Sequence, residues 1–151
     1  MANGNTVNQT MKTFGYPGSV VAEYDRWVVL LRPQQATLGA LVLVCREEVT
    51  AFSAISPGAF DEMGRIVREI EAALTSAFAY EKINYLMLMM VDPHVHFHVL
   101  PRYSAPREFA GVTFTDPGWP RVPDLGNAPD VDEHCRAALI ARLRDCWSKG
   151  D

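Results

Sequence analysis

The sequence predicts an α+β fold, in which an antiparallel sheet of about five strands carries one long helix and a second helix near the C-terminus. Three observations support this prediction. Short β-rich segments are bounded by turn residues, residues 57–79 have a capped helical pattern, and the histidines at 94, 96 and 98 alternate with apolar residues. With 151 residues, the chain is long enough to bury a core of its own.

The first strands follow a polar N-terminal stretch, residues 1–13, which we expect to be a flexible tail. A single domain then covers residues 14–151. Residues 20–24 and 27–31 are β-rich and read as two strands. Residues 40–45 are apolar at every position, which is typical of an interior strand with both faces covered.

The long helix has recognisable start signals. Ser56 can cap the N-terminus, and Pro57 suits the first helical position. Apolar residues recur at steps of three and four, which predicts a buried stripe made of Phe60, Met63, Val67, Ile70, Leu74 and Phe78. The charged residues between them are expected on the outer face; they are Arg65, Arg68, Glu69 and Glu71.

The second half of the chain is expected to complete the sheet. Residues 83–91 form an apolar run, and Asp92-Pro93 separates it from the histidine segment. Two strands with so short a link should be antiparallel neighbours. The composition of residues 101–129 predicts irregular coil, and a C-terminal helix is expected over about 131–148, with Asp130 and Glu133 as its capping pair.

Composition restricts the classes of function. The net charge of −4 argues against general binding of nucleic acids or anionic membranes, which requires a cationic surface. No apolar run approaches the ~20 residues that span a bilayer. The three cysteines are far apart, without CxxC spacing, so a disulfide framework is not expected and a reducing cytoplasm fits best.

The histidine segment carries the chemistry. On a strand, His94, His96 and His98 share one face at intervals of roughly 7 Å, while Val95 and Phe97 point toward the core. Imidazole is a nucleophile, a general acid or base and a metal ligand near neutral pH. Three such groups in one row therefore predict a functional site.

A metal site is the main alternative from the residues themselves. Histidines can hold Zn²⁺ at ~2.0–2.1 Å, but neighbours some 7 Å apart need a further ligand from another strand. Residues 83–91 contain no aspartate or glutamate to supply it. We therefore predict no metal at this site, with a ligand from elsewhere in the chain left open.

The segment His94-Val95-His96-Phe97-His98-Val99-Leu100, followed by Pro101-Arg102, resembles the signature of the histidine triad (HIT) superfamily. The resemblance covers about residues 15–103. It implies a HIT-like fold and a nucleotide hydrolase or nucleotidyltransferase. The substrate class would be a nucleoside or dinucleoside polyphosphate, or a nucleoside phosphoramidate.

The resemblance also implies roles for the residues. His96 would attack the α-phosphate and form a nucleotidyl-histidine intermediate, which water resolves. His94 and His98 would donate hydrogen bonds to phosphate oxygens and shuttle protons. No cofactor is required, although Mg²⁺ can accompany a polyphosphate. Family members commonly dimerise, so a homodimer is expected.

Three departures from the family pattern concern the residues around the triad. Ala40 follows Gly39 where a histidine is usual, and the loop 91–93 lacks the usual Gly-Gln pair. Leu31 and Arg32 stand where a ribose-binding Asn or Asp is expected. These departures leave open an alternative, a non-catalytic nucleotide-binding module.

Other side chains could replace the missing phosphate and nucleotide contacts. Arg32 follows a predicted strand and can pair with phosphate, and the amides of Gln34 and Gln35 are close to it in sequence. Arg102 could approach phosphate from beyond the histidine strand. Arg32, Gln34 and Arg102 are therefore the candidate nucleotide-binding residues.

Overall fold

The computed structural model describes residues 6–147 and has the predicted α+β architecture. A five-stranded sheet has the order β1-β2-β3-β5-β4, with every neighbouring pair antiparallel. Its strands are β1 Val20–Glu23, β2 Trp27–Leu31, β3 Leu41–Cys45, β4 Lys82–Leu86 and β5 His96–Arg102. The helices are α1 Gln9–Thr13, α2 Pro57–Phe78 and α3 Glu133–Cys146, with a 3₁₀ turn at Phe52–Ala54.

The sheet is covered on both faces, which explains why β2 and β3 are apolar at every position. Helices α2 and α3 cover one face and form the larger core with it. On the other face, Met11 of α1 packs into a second apolar cluster with residues of β1, β2 and β3, namely Val20, Val28, Leu30, Val42 and Val44. The histidines of β5 lie on this second face.

Helix α2 agrees with its predicted bounds to within one residue. Ser56 caps it by accepting a hydrogen bond from the amide of Ala59. The predicted pattern of burial holds at Ile70, Leu74 and Phe78, whereas Met63 and Val67 are only half-buried and two positions are wrong. Phe60 is 42% exposed, whereas Glu69 is buried and accepts a hydrogen bond of 2.7 Å from the hydroxyl of Tyr24. A tertiary partner outside the helix therefore compensates the burial of this carboxylate.

Residues 6–13, which we expected to belong to a flexible N-terminal tail, include helix α1, whereas residues 1–5 lie outside the described part of the chain. Asn8 caps the short helix α1, and its side-chain amide donates a 2.8 Å hydrogen bond to the carbonyl of Cys45. Met11 is fully buried. The sheet thus holds this segment in place, although its local sequence is polar.

The second half of the chain departs from prediction in three places. Strand β4 ends at Leu86, and the chain then leaves the sheet, so that Met90 and Val91 are exposed. Within the region expected to be coil, β5 continues to Arg102 and a hairpin forms from β6 Arg107–Phe109 and β7 Val112–Phe114. Asp132, not Asp130, caps α3 by accepting from the amide of Cys135, and residue 148 lies outside the described residues.

The helices between residues 6 and 147 include none with the length and apolar character needed to cross a membrane.

We predict that Gly39→Ala destabilises the fold by about 1–3 kcal/mol. Gly39 has φ +84°, and an added Cβ would lie 2.8 Å from the Phe78 ring at the end of α2. Gly64→Ala is the matched control, because Gly64 lies on the exposed face of α2 with space for a methyl group. That control should stabilise the protein by about 0.5–1 kcal/mol. Urea unfolding of both variants measures the difference; a Gly39→Ala variant as stable as the parent protein contradicts the assignment.

Candidate active site

His96 and His98 lie side by side on the sheet face opposite α2. The register of β3 with β5 pairs Val44 with His96 and Val42 with His98. The two imidazole centroids are 5.1 Å apart. Since β5 is an interior strand, pairing with β3 and β4 fixes the backbone that carries these rings.

His94 does not lie on the strand, which begins at His96, so the prediction of three histidines on one strand is wrong for this residue. Pro93, which has no N–H group, precedes it. The backbone amide of His94 is 3.3 Å from Thr10 Oγ1 in α1, outside the sheet ladder. Its ring remains part of the site through hydrogen bonds.

One hydrogen bond defines the protonation pattern of His96. Its Nδ1 lies 2.7 Å from the carbonyl oxygen of His94. A carbonyl oxygen only accepts, so Nδ1 must carry the proton. In the neutral ring, Nε2 then carries the free lone pair, which is the state required of a nucleophile.

His98 has the opposite pattern. The Nε–H of Arg32 donates to His98 Nδ1 at 3.2 Å, so the neutral ring carries its proton on Nε2. Burial lowers the pKa of His98 from 6.5 to about 4, and the nearby charge of Arg32 and the imidazole of His96 act in the same direction. His98 is therefore a neutral N–H donor at neutral pH.

His94 is held at both ring nitrogens. Its Nε2 lies 2.8 Å from Glu48 Oε2, and its Nδ1 lies 2.9 Å from Thr10 Oγ1. Both partners were missed in the sequence, because they are 46 and 84 residues away from His94 and neither belongs to a recognisable motif. Only the packing of α1 and of the segment after β3 brings them together.

The three histidines are buried, with exposed fractions of 9% for His94, 2% for His96 and 6% for His98. The Phe14 ring packs against His96 and His98, with centroid distances of 5.5 and 5.7 Å. Phe14 follows α1 directly, so the N-terminal segment covers the two rings. Access to His96 is therefore narrow, and the Phe14 ring forms part of its boundary.

Of the three candidate nucleotide-binding residues, the structure brings Arg32 to the histidines. Arg32 is 9% exposed and donates to His98 Nδ1 and to the carbonyl of Gln34. Between residues 6 and 147, no carboxylate forms an ion pair with it. Burial lowers the pKa of Arg32. A buried cation with no counter-ion is costly, and an anionic ligand would relieve that cost.

The other candidates lie apart from the rings. The side chain of Gln34 is exposed and contacts the carbonyl of Gly126, while Gln35 is buried and holds the turn before β3. Arg102 forms a bidentate pair with the buried Asp116 and also donates to Asn84. These contacts use the guanidinium of Arg102 within the fold.

The sheet face that carries the histidines also includes Ala40 and a cavity. Ala40, at the position where the family usually has a histidine, packs with Ala36 and Leu100. A cavity of about 500 Å³ lies over β4. Its lining includes Leu86, which pairs with His98 in the sheet, and also Lys82, Trp119 and Arg121.

The described residues contain no group of three or more His, Cys, Asp or Glu side chains arranged to hold a metal ion.

These features define a class: a small α+β protein with a row of histidines on one face of an antiparallel sheet and a long helix on the other. The model of the HIT domain family matches residues 15–105, and the chain belongs to this histidine triad family. The family commonly contains nucleotide hydrolases and transferases.

Solved structures share the fold at low sequence identity. A histidine triad protein from Sinorhizobium meliloti is 20% identical with a TM-score of 0.72, covering 93% of this chain and 96% of that one. A histidine triad protein from Bradyrhizobium japonicum is 17% identical with a TM-score of 0.72, covering 98% and 100%. A hypothetical histidine triad nucleotide-binding protein from Sulfolobus tokodaii is 13% identical with a TM-score of 0.67, covering 91% and 88%.

We predict that Phe14→Ala accelerates chemical modification of the triad. Removing the ring uncovers His96 and His98, so diethylpyrocarbonate should react with them several times faster. Mass spectrometry of the peptide that contains the three histidines measures the rate. Phe52→Ala is the control, because Phe52 packs against Phe97 on the opposite face of β5. Equal rates in the two variants contradict the covering role of Phe14.

We also predict that His98→Gln weakens the pH dependence of stability. The folded pKa of His98 is about 4, against an ordinary value of 6.5. As pH falls from about 6.5 to 4, the unfolded chain binds a proton that the folded chain does not, so stability decreases across this window. The glutamine oxygen of the variant accepts from Arg32 but does not titrate. Urea unfolding at pH 7.5 and pH 5 should show a smaller loss in the variant than in the parent; equal losses refute this origin.

Proposed function

We propose that this protein is a nucleotide hydrolase or nucleotidyltransferase that attacks the α-phosphate of its substrate through His96. The observation that carries the proposal is the hydrogen bond from His96 Nδ1 to the carbonyl of His94, 2.7 Å long. It leaves the free lone pair of the neutral ring on Nε2. The substrate class is a nucleoside or dinucleoside polyphosphate, or a nucleoside phosphoramidate.

The chemistry takes two displacements. The Nε2 lone pair forms an N–P bond with the α-phosphorus, while the P–O or P–N bond to the leaving group breaks and the leaving group keeps the electron pair and takes up a proton from solvent. Nδ1 keeps its proton, so the substituted ring is cationic and its Nδ1–H still donates to the His94 carbonyl. Water then attacks the phosphorus and releases a proton to solvent, the N–P bond breaks, and the ring recovers its lone pair. An alcohol in place of water gives transfer.

The anionic phosphoryl group has partners beside the nucleophile. Arg32 supplies a buried positive charge without a carboxylate partner in the described chain. His98 supplies an Nε2–H donor that remains neutral at pH 7, since its pKa is about 4. Oriented donors that need no reorganisation stabilise charge as it develops on the phosphoryl oxygens. Both side chains therefore support phosphoryl chemistry at His96.

The rest of a nucleotide needs space on the same face. The cavity over β4 has a volume of about 500 Å³, within the range of small-molecule sites. Its lining residue Leu86 is the sheet partner of His98. Trp119 offers a stacking surface, and Lys82 and Arg121 offer positive charge. We assign the leaving group or second nucleoside to this cavity.

A non-catalytic nucleotide-binding module is the second candidate, and the burial of the triad favours it. His96 is 2% exposed, and Phe14 packs on its ring. The residues that line the cavity over β4 include none of the three histidines, so a nucleotide could occupy that cavity without contact to Nε2.

We further propose a homodimer in a reducing cytoplasm that requires no cofactor, with Mg²⁺ accompanying polyphosphate substrates only. Strand β4 is an edge strand of the sheet, with one side free of a neighbouring strand among the described residues. Exposed apolar side chains follow it, namely Leu88, Met90 and Val91. An open edge next to an apolar patch is suited to pairing with a second copy.

We predict that His96→Ala abolishes hydrolysis of a dinucleoside polyphosphate and of adenosine phosphoramidate, with a loss of about a thousandfold or more in kcat. Product release followed by chromatography measures the rate. His134→Ala is the control, because His134 is an exposed residue of α3. Equal rates for His96→Ala and the parent protein refute catalysis by His96.

Binding and turnover measured on the same protein samples distinguish the enzyme from the non-catalytic nucleotide-binding module. A nucleoside monophosphate that raises the melting temperature shows binding by linkage. Binding without turnover in the parent protein favours the non-catalytic module, whereas binding with His96-dependent turnover establishes the enzyme.

A further inference from the structure

We infer that Thr10 and Glu48 are positioning residues, which act through His94 to keep the proton of His96 on Nδ1. The inference rests on the proposed function, because it assigns a role to both residues in preparing the nucleophile. Both residues contact His94, and the carbonyl of His94 in turn contacts His96. Their effect passes through this continuous chain of hydrogen bonds.

This series of hydrogen bonds begins at the ring of His94. In its neutral form, the Nε2–H donates to Glu48 Oε2 at 2.8 Å, and Nδ1 accepts from the hydroxyl of Thr10 at 2.9 Å. The same hydroxyl oxygen accepts from the backbone amide of His94 at 3.3 Å. Thr10 therefore contacts both the ring and the main chain of this residue, and Glu48 fixes the opposite side of the ring.

The contacts of Thr10 and Glu48 matter because His94 lies outside the sheet. Strand β5 begins at His96, and its pairing with β3 reaches only as far as Val95, whose carbonyl accepts from the amide of Cys45 at 2.9 Å. The peptide between residues 94 and 95 does have one backbone contact: the amide of Val95 donates to the carbonyl of Val49 at 3.3 Å. Val49 follows Glu48 directly. The segment 48–49 thus holds the ring of His94 and the peptide whose carbonyl faces His96.

The carbonyl of His94 is the acceptor for His96 Nδ1–H, at 2.7 Å. If His94 rotates or shifts, this acceptor moves away from Nδ1. An isolated neutral imidazole then populates the form with its proton on Nε2, which removes the lone pair from the attacking atom. Loss of Thr10 or Glu48 should therefore reduce the fraction of His96 rings that carry the proton on Nδ1 and a lone pair on Nε2.

The burial of the two residues differs in a way that allows a clean test. Thr10 is 1% exposed, whereas the Glu48 side chain is 64% exposed and forms no ion pair with Lys or Arg among the described residues. Removing an exposed carboxylate costs little stability. Glu48 substitutions thus separate positioning from folding better than Thr10 substitutions.

The test compares Glu48→Ala with Glu48→Gln, and Thr10→Val with Thr10→Ser. We expect kcat to fall about tenfold in Glu48→Ala and Thr10→Val, equivalent to ~1.4 kcal/mol, with KM changed less than about twofold. The conservative variants Glu48→Gln and Thr10→Ser keep the hydrogen-bonding oxygen and should restore most of kcat. Glu108→Ala, an exposed carboxylate on the small hairpin, is the control for a general loss of charge.

A second measurement does not depend on turnover. The ¹⁵N chemical shifts of the His96 ring report which nitrogen carries the proton. We expect Nδ1–H in the parent protein and in Glu48→Gln, and a shift toward Nε2–H in Glu48→Ala and Thr10→Val. Unchanged His96 tautomers in both of these variants overturn the inference. A parent protein with no His96-dependent turnover but with this tautomer shift refutes the proposed function and leaves the positioning intact.

Discussion

The hydrogen bond between His96 Nδ1 and the carbonyl of His94 decides what chemistry the site can perform. An imidazole on an exposed strand exchanges its proton between two nitrogens, and only one form presents a lone pair to a given direction. Here the main chain of one histidine selects the form of the next. The other contacts in the site either hold that acceptor, as Thr10 and Glu48 do, or supply the charge and donors that a phosphoryl group needs, as Arg32 and His98 do.

Burial stabilises the hydrogen bonds of the site but is unfavourable for the charge of Arg32 and for protonation of His98. It strengthens the hydrogen bonds, because water does not compete for their donors and acceptors. It also leaves the Arg32 guanidinium without a carboxylate partner in the described chain and lowers the pKa of His98 to about 4. Both effects make the unliganded site unfavourable. Proteins commonly tolerate such a cost where a ligand relieves it, and a phosphate beside Arg32 fits that description.

The sheet and the long helix could be predicted because local pattern and tertiary structure agree there. Residues 27–31 and 41–45 are apolar throughout, and Ser56-Pro57 is a strong helix start. The prediction was wrong where tertiary contacts override a local pattern. Helix α1 is polar in sequence, and Met11 is its only fully buried apolar anchor.

The same distinction applies to the site. The row of His96 and His98 follows from strand alternation, and Arg32 could be proposed because it follows a strand. Glu48 and Thr10 could not be found, since their relation to His94 spans 46 and 84 residues and exists only in the folded chain. His94 itself lies before the strand, where its amide donates to Thr10 and the amide of Val95 donates to Val49 and not to a strand of the sheet. The residues of a motif can thus be predicted from the sequence more easily than the distant residues that contact and orient them.

The N-terminal segment links access to the site with its preparation. Thr10 supports His94, and Phe14, four residues later, covers His96 and His98. If all of α1 moved away to admit a substrate, the support of His94 would be lost when the nucleophile is needed. Asn8 and Met11 resist that movement through a 2.8 Å hydrogen bond and complete burial. Phe14 lies at the end of the helix, where rotation of one side chain costs far less than undocking α1. Displacement of Phe14 alone would therefore widen the access to His96 while Thr10 stays on His94 and the proton of His96 stays on Nδ1.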